Sequence, residues 1–135
     1  MKPLQPIRFA GYASLFDVPD ADRDIIRKGA FDQTLVSRNT PLPLLWQHRP
    51  KEQIGSIETL SEDHRGLRVI ARIENLASRA ADLLTRGQVN GLSFGYRARE
   101  SRRTENGREL LSLDLFEISL VTHPLQYGAR VHLIA

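Results

Sequence analysis

His48, Ser93 and Glu117 are the residues of this chain whose types and settings could carry out chemistry together. His48 closes the apolar run Pro-Leu-Leu-Trp-Gln-His, Ser93 stands in Asn90-Gly-Leu-Ser-Phe-Gly-Tyr96, and Glu117 lies among the hydrophobic residues that follow Asp114. A base, a hydroxyl and a base-orienting acid are the parts of a serine hydrolase. Imidazole suits the first role because an ordinary pKa of about 6.5 lets it accept a serine proton at neutral pH. The chain order His, Ser, acid differs from the His-Asp-Ser, Asp-His-Ser and Ser-acid-His orders of the best-known hydrolase folds. A less common scaffold is expected.

Each of the three needs an element to hold it. Residues 90–99 alternate as a strand, with Leu92, Phe94 and Tyr96 on one face and Ser93, Gly95 and Arg97 on the other. Gly91 and Gly95 flank the hydroxyl, and their missing side chains would let a substrate backbone approach. Continued alternation from Leu44 puts His48 on the face of Leu44 and Trp46, at a rim, since the polar Arg49-Pro-Lys-Glu52 follows. In residues 109–122 the same rule groups Glu117 with Leu113, Leu115, Ser119 and Val121, and turns Asp114 to the opposite face. A carboxylate on a mostly apolar face costs free energy unless paired, and a histidine N–H is a suitable partner. Glu117 is the candidate acid, with Asp114 and His123 as alternatives for the third position.

The remaining pattern is of short strands. Residues 7–16, 44–48, 54–60, 66–74, 90–99, 109–122 and 129–133 read as strands, and the polar turns at 61–66 and 104–107 make antiparallel hairpins of their neighbours. Residues 31–37 and 76–86 read as helices, the second with an apolar stripe of Leu76, Ala80, Leu83 and Leu84 and a left-handed cap at Gly87. The aspartate-rich residues 17–24 read as a loop. Seven strands with two helices predict one mainly β (α+β) domain over residues 1–135, an antiparallel barrel or sandwich with peripheral helices.

Composition narrows the function. The chain is 41% hydrophobic and 26% charged, ordinary for a globular domain of 135 residues. No apolar run approaches the roughly 18 residues of a membrane span, and Met1-Lys-Pro-Leu-Gln-Pro is too short and polar to begin a secretory signal. The absence of cysteine excludes disulfides and thiolate metal sites and fits a reducing cytoplasm. The aspartates of residues 17–24 lack the glycine and glutamate spacing of a calcium loop, and His48, His64, His123 and His132 lack that of a zinc helix. No metal and no cofactor are expected. The net charge of +3 is concentrated in Arg97, Arg99, Arg102, Arg103 and Arg108, broken by Glu100, Glu105 and Glu109. Aromatic residues do not interleave with these arginines as on a stacking platform, so a solvated hairpin is expected, with no nucleic-acid partner.

Four segments resemble, in order, the prohead (procapsid maturation) proteases of tailed bacteriophages, distant relatives of the herpesvirus assemblin proteases. They are Phe9-Ala-Gly-Tyr-Ala-Ser-Leu-Phe-Asp17 with Gly29-Ala-Phe31, Leu44-Leu-Trp-Gln-His48 with Ile54-Gly55, Val89-Asn-Gly-Leu-Ser-Phe-Gly-Tyr96, and Leu115-Phe-Glu-Ile-Ser-Leu-Val-Thr122. The resemblance implies an orthogonally packed, herpesvirus-assemblin-like barrel with helices around it. It implies Ser93 as nucleophile, His48 as base and an acid at Glu117, where the herpesvirus relatives use a second histidine. It places oxyanion stabilisation in the loop of residues 122–128. The implied activity is that of a serine endopeptidase cutting the major capsid protein and its scaffold region, and itself, inside an assembling procapsid in the bacterial cytoplasm. Self-association into dimers or higher oligomers is implied as well. The alternative is a non-catalytic capsid-assembly or scaffold-binding module on the same fold. Many such relatives continue into a tail past the last strand, whereas this sequence stops at Ala135, as a compact gene-transfer-agent member or a processed core would.

Overall fold

Alternating hydrophobic residues dominate the chain, and they bury themselves by forming one large sheet. The structure, a computed structural model, describes residues 5–135. The start of the Met1-Lys-Pro-Leu-Gln-Pro segment, discussed above as a signal candidate, lies outside the described residues. The described elements are strands β1 (Ile7–Leu15) and β2 (Asp24–Ile26), helix α1 (Asp32–Ser37), strands β3 (Pro43–Trp46), β4 (Arg49–Glu62) and β5 (Gly66–Ile73), helix α2 (Arg79–Thr85), and strands β6 (Gly91–Thr104), β7 (Gly107–Val121) and β8 (Val131–Ile134).

The sheet runs β2-β7-β3-β4-β5-β1-β8, and β6 pairs along the other edge of β7. This differs from the expected antiparallel barrel in two ways. The sheet is mixed, because β2 and β3 both pair with β7 in parallel. It is also not closed by continuous ladders: a single bridge, Gly91 to Arg130, joins the start of β6 to the segment before β8. The hairpins β4–β5 and β6–β7 are antiparallel, as their turns predicted. The parallel pairs join segments far apart in sequence, which no local turn chemistry announces.

An eighth strand, not expected from the sequence, starts at Asp24, the last residue of the aspartate-rich loop. β2 is three residues long, and it is fixed by Arg108, whose Nε and Nη2 donate to the two carboxylate oxygens of Asp24 at 3.1 and 3.0 Å. β4 begins five residues earlier than the apolar pattern suggests, because Arg49–Gln53 form an exposed return arm against β3.

The core lies between the inner face of this sheet and the two helices, and includes Phe9, Phe31, Leu44, Leu92, Leu113, Ile118 and Leu120. α2 buries Ala80, Ala81 and Leu84, starts at the Ser78 side chain, which accepts from Ala81 N–H at 3.1 Å, and is followed by Gly87 at φ 72°. α1 lies along the edge of β7 between the parallel partners. There Leu113 N–H donates to the Ala30 carbonyl, Leu115 N–H donates to Thr34 Oγ1, and Arg38 Nη1 donates to the Leu115 carbonyl. An edge otherwise left unpaired is thus satisfied by the Ala30 carbonyl and by the side chains of Thr34 and Arg38, in and around α1. Among the described residues no helix is long and apolar enough to cross a membrane.

Candidate active site

His48 is placed by a turn. The strands β3 and β4 pair as far as Trp46 with Arg49, leaving Gln47 and His48 as a two-residue loop. Both are left-handed, at φ 53° and 59°, the pattern of a type I′ hairpin turn. Asparagine and glycine usually fill such positions, and other residues cost about 1–2 kcal/mol there. Hydrogen bonds to β7 hold the turn against that cost. Gln47 N–H donates to the Leu120 carbonyl at 2.9 Å and His48 N–H to Ser119 Oγ at 3.1 Å. The Gln47 side chain clasps Thr122, donating from Nε2 to its hydroxyl at 3.1 Å and accepting its N–H at 3.2 Å. The turn ends the alternation of β3, so His48 leaves the face of Leu44 and Trp46 and meets Glu117 on the opposite one.

Glu117 is placed by a bulge. Gly95 pairs with Glu117 and Tyr96 with Leu115, so Phe116 is an extra residue in β7. The bulge turns Leu115 into the core with Ile118 and Leu120, and directs Glu117 and Ser119 to the face of Gly95 and Ser93. The simple alternation that grouped Glu117 with Leu113 and Leu115 therefore fails at Phe116. It fails for Asp114 too, which pairs with Arg97 and shares the Glu117 face, three residues away.

On that face Glu117 Oε1 lies 2.5 Å from His48 Nδ1, and Ser119 Oγ donates to Glu117 Oε2 at 2.7 Å. Ser119 is fully buried, and one hydroxyl thus ties the backbone of His48 to the carboxylate that its ring contacts. With Glu117 ionised, the proton of the neutral imidazole is assigned to Nδ1, and Nε2 is left as the free acceptor. The hydrogen bond to Glu117 lifts the His48 pKa above its ordinary value, with burial acting in the opposite direction. Ser93 pairs with Ser119 across the β6–β7 ladder, and so projects from the face that carries the His48–Glu117 pair. Among the described residues its hydroxyl has no hydrogen-bond partner; contacts of this kind often tighten only when substrate binds.

Asp114 and His123 are not brought to the imidazole. The Asp114 carboxylate is bridged by Arg99 at 3.1 Å and Arg97 at 3.2 Å, with the Arg99 contact the main cause of its lowered pKa. His123 sits exposed beyond the end of β7. Its loop, residues 122–128, packs on the start of β6 and is pinned by the buried Gln126, which exchanges hydrogen bonds with the backbone of Leu15 at 2.6 and 3.0 Å.

Three features of the site were missed in the sequence: Ser119, the Gln47 clasp and the use made of the glycines. A Cβ at Gly95 would lie 2.5 Å from Glu117 Oε1, and one at Gly91 would lie 2.6 Å from the Val121 carbonyl. The glycines make room for the protein's own carboxylate and loop, where the sequence reading reserved that space for substrate. A polar residue two positions from the acid, in a strand with one buried face, was the available signal for Ser119. Among the described residues no cluster of three or more His, Cys, Asp or Glu side chains could hold a metal ion.

The fold and the chain both have known relatives. The structure superposes on the Kaposi's sarcoma herpesvirus protease bound to a hexapeptide phosphonate inhibitor with a TM-score of 0.66 at 17% identity, covering 97% of this chain and 65% of the other. On the capsid assembly protease of bacteriophage T4 the TM-score is 0.67 at 14% identity, covering 87% of this chain and 82% of the other. These likenesses establish a herpesvirus-protease-like fold. In sequence, the prohead protease of Enterobacteria phage HK97 is 35% identical over 130 residues, 91% of this chain and 58% of that protein. The capsid polyprotein of Pseudomonas phage PAJU2 is 29% identical over 125 residues, 84% of this chain, which spans only 18% of that longer protein. Residues 3–135 match the profile of the caudovirus prohead serine proteases, and the chain belongs to that family.

Proposed function

We propose that this chain is a serine endopeptidase that cleaves capsid and scaffold proteins, itself included, during maturation of a phage or phage-like procapsid in the host cytoplasm. Ser93 is the nucleophile, His48 the general base and Glu117 the acid that orients and charge-stabilises the imidazole. The observation that carries the reading is the 2.5 Å contact between His48 Nδ1 and Glu117 Oε1, made on the sheet face from which Ser93 projects. The family membership and the phage relatives support the choice of a capsid substrate.

The chemistry follows from the residues. His48 Nε2 takes the Ser93 proton as Oγ bonds to the scissile carbonyl carbon, and the carbonyl electrons move onto oxygen. The imidazolium, its Nδ1–H held by Glu117, then protonates the leaving amine as the C–N bond breaks. Water enters in the amine's place and bonds to the acyl carbon as it gives its proton to His48, which returns that proton to Ser93 Oγ as the ester C–O bond breaks and the acid product leaves. Backbone N–H groups of the 122–128 loop, which packs beside the start of β6, are the proposed oxyanion donors.

The test is co-expression with the major capsid protein of the same phage or prophage. Wild type should shorten the capsid protein, and Ser93→Ala should leave it intact while keeping the circular dichroism of the native fold. Undiminished cleavage by folded Ser93→Ala would remove the nucleophile. No cleavage by either would favour the non-catalytic assembly module.

A further inference from the structure

Gln47 holds a left-handed backbone conformation, φ 53°, at a turn position that asparagine or glycine fills with less strain. Backbone strain of this kind persists where the surroundings impose it, and it concentrates at functional sites. Here the side chain spends both ends of its amide on one residue, Thr122. Nε2 donates to the Thr122 hydroxyl at 3.1 Å, and Oε1 accepts the Thr122 N–H at 3.2 Å. Asparagine, one methylene shorter, would not span that gap from the same turn, and glycine has no side chain to span it with.

Thr122 opens the 122–128 loop, and that loop lies against the strand that carries Ser93. The Ala129 carbonyl, just past the loop, accepts the N–H of Leu92 at 2.9 Å. Pro124 packs on Gly91, where a Cβ would come within 2.8 Å of its Cδ. On the other side, His48 follows Gln47 directly, and its own N–H is held by Ser119. One side chain therefore bridges the turn of the base and the loop beside the nucleophile. We propose that Gln47 is a positioning residue, which sets the 122–128 loop relative to the His48 imidazole so that base and oxyanion donors meet the substrate carbonyl together. The inference rests on the proposed triad and on the proposed oxyanion role of this loop. Because Oε1 engages the Thr122 N–H, the donors lie further along the loop. The contact between His48 Nδ1 and Glu117 Oε1 uses none of these atoms.

A small alkyl fluorophosphonate on the intact chain tests the coupling, with kinact and KI measured separately and the adduct mapped to Ser93. Misplacing a reacting group by about 1 Å can cost on the order of 10²-fold in rate, so Gln47→Asn should lower kinact at least about tenfold and leave KI within about twofold of wild type. Its urea midpoint should stay close to that of wild type, because asparagine relieves the turn as the clasp is lost. The His48 pKa, followed by NMR titration, should not move. Thr122→Val removes the hydroxyl and keeps the N–H, and should lower kinact by a smaller factor. Added to Gln47→Asn it should have no further effect, since the two residues share one contact. A turn residue with no positioning role would leave kinact unchanged or improved. Unchanged kinact in folded Gln47→Asn would overturn the coupling, as would losses that multiply in the double variant or a His48 pKa that moves with the rate. Unchanged kinact in Thr122→Val would overturn it even if Gln47→Asn did not fold. Each of these leaves the nucleophile standing. Wild type without a Ser93 adduct would remove the triad, and this inference with it.

Discussion

Glu117 is gripped from two sides, by the His48 ring and by the Ser119 hydroxyl, and that arrangement makes the behaviour of single residues predictable. The base must be neutral to accept a proton, so activity should appear as pH rises through the His48 pKa, and Glu117 lifts that pKa above its ordinary value of 6.5. Glu117→Gln should therefore do two things at once. The rate should fall strongly, by about 10⁴-fold if the loss resembles that in a trypsin-type triad, and the acidic limb of kcat/KM should move to lower pH. Asp114→Asn should cause little change in rate, because its carboxylate is engaged by Arg97 and Arg99. Gly95→Ala should act like a weaker Glu117 variant: its Cβ would lie 2.5 Å from Oε1 and push the carboxylate off the imidazole. The His48 pKa, followed by NMR titration, should then fall towards its ordinary value. The face that Ser93 shares with Gly95 and Arg97 was legible in the sequence, and the faces of His48, Glu117 and Asp114 were not. Alternation was broken at Gln47–His48 and at Phe116, and no glycine, proline or asparagine marks either position.

The elements show why those two breaks are tolerated. The bulge at Phe116 adds one residue to β7, so the strand can send Leu115 into the core and Glu117 to the opposite face. Phe116 acts as a spacer, and its own side chain is 53% exposed. Phe116→Ser should then change stability by no more than about 0.5 kcal/mol in urea unfolding and leave activity near that of wild type. Deleting Phe116 should abolish activity, because a one-residue slip reverses the facing of every residue on one side of it. α1 contributes at the same place, since Thr34 accepts the N–H of Leu115 at 3.1 Å. Thr34→Val keeps the shape and strands that buried N–H, so a loss of about 1–3 kcal/mol is expected. The helices and the longer strands were legible to within five residues at either end, the largest misses being the exposed start of β4 and the exposed end of β6, where burial sets no period. β2 was not: three residues fixed largely by an ion pair with distant Arg108 carry no period of their own.

For the whole molecule, the fold class was legible and the topology was not. Hairpin turns announce antiparallel neighbours, whereas the parallel docking of β2 and β3 on β7 depends on contacts between distant segments. The mixed, unclosed sheet leaves apolar groups in solvent: Leu125 and Tyr127 on the loop after β7, and Leu133 and Ile134 on the edge strand β8. Packing many copies within a shell raises effective concentration without new contacts, and these groups would favour self-association. Peptidase activity per molecule should therefore rise with enzyme concentration, in step with the sedimentation coefficient; flat specific activity from dilute monomer upwards would remove this switch. The central claim is that Ser93, activated by His48 and Glu117, is the nucleophile. Its most direct measurement is mass-spectrometric mapping of the chain after fluorophosphonate treatment. One adduct is expected, on Ser93, abolished in folded Ser93→Ala and strongly slowed in Glu117→Gln. An adduct on another serine, or equal labelling of folded Ser93→Ala, would contradict it.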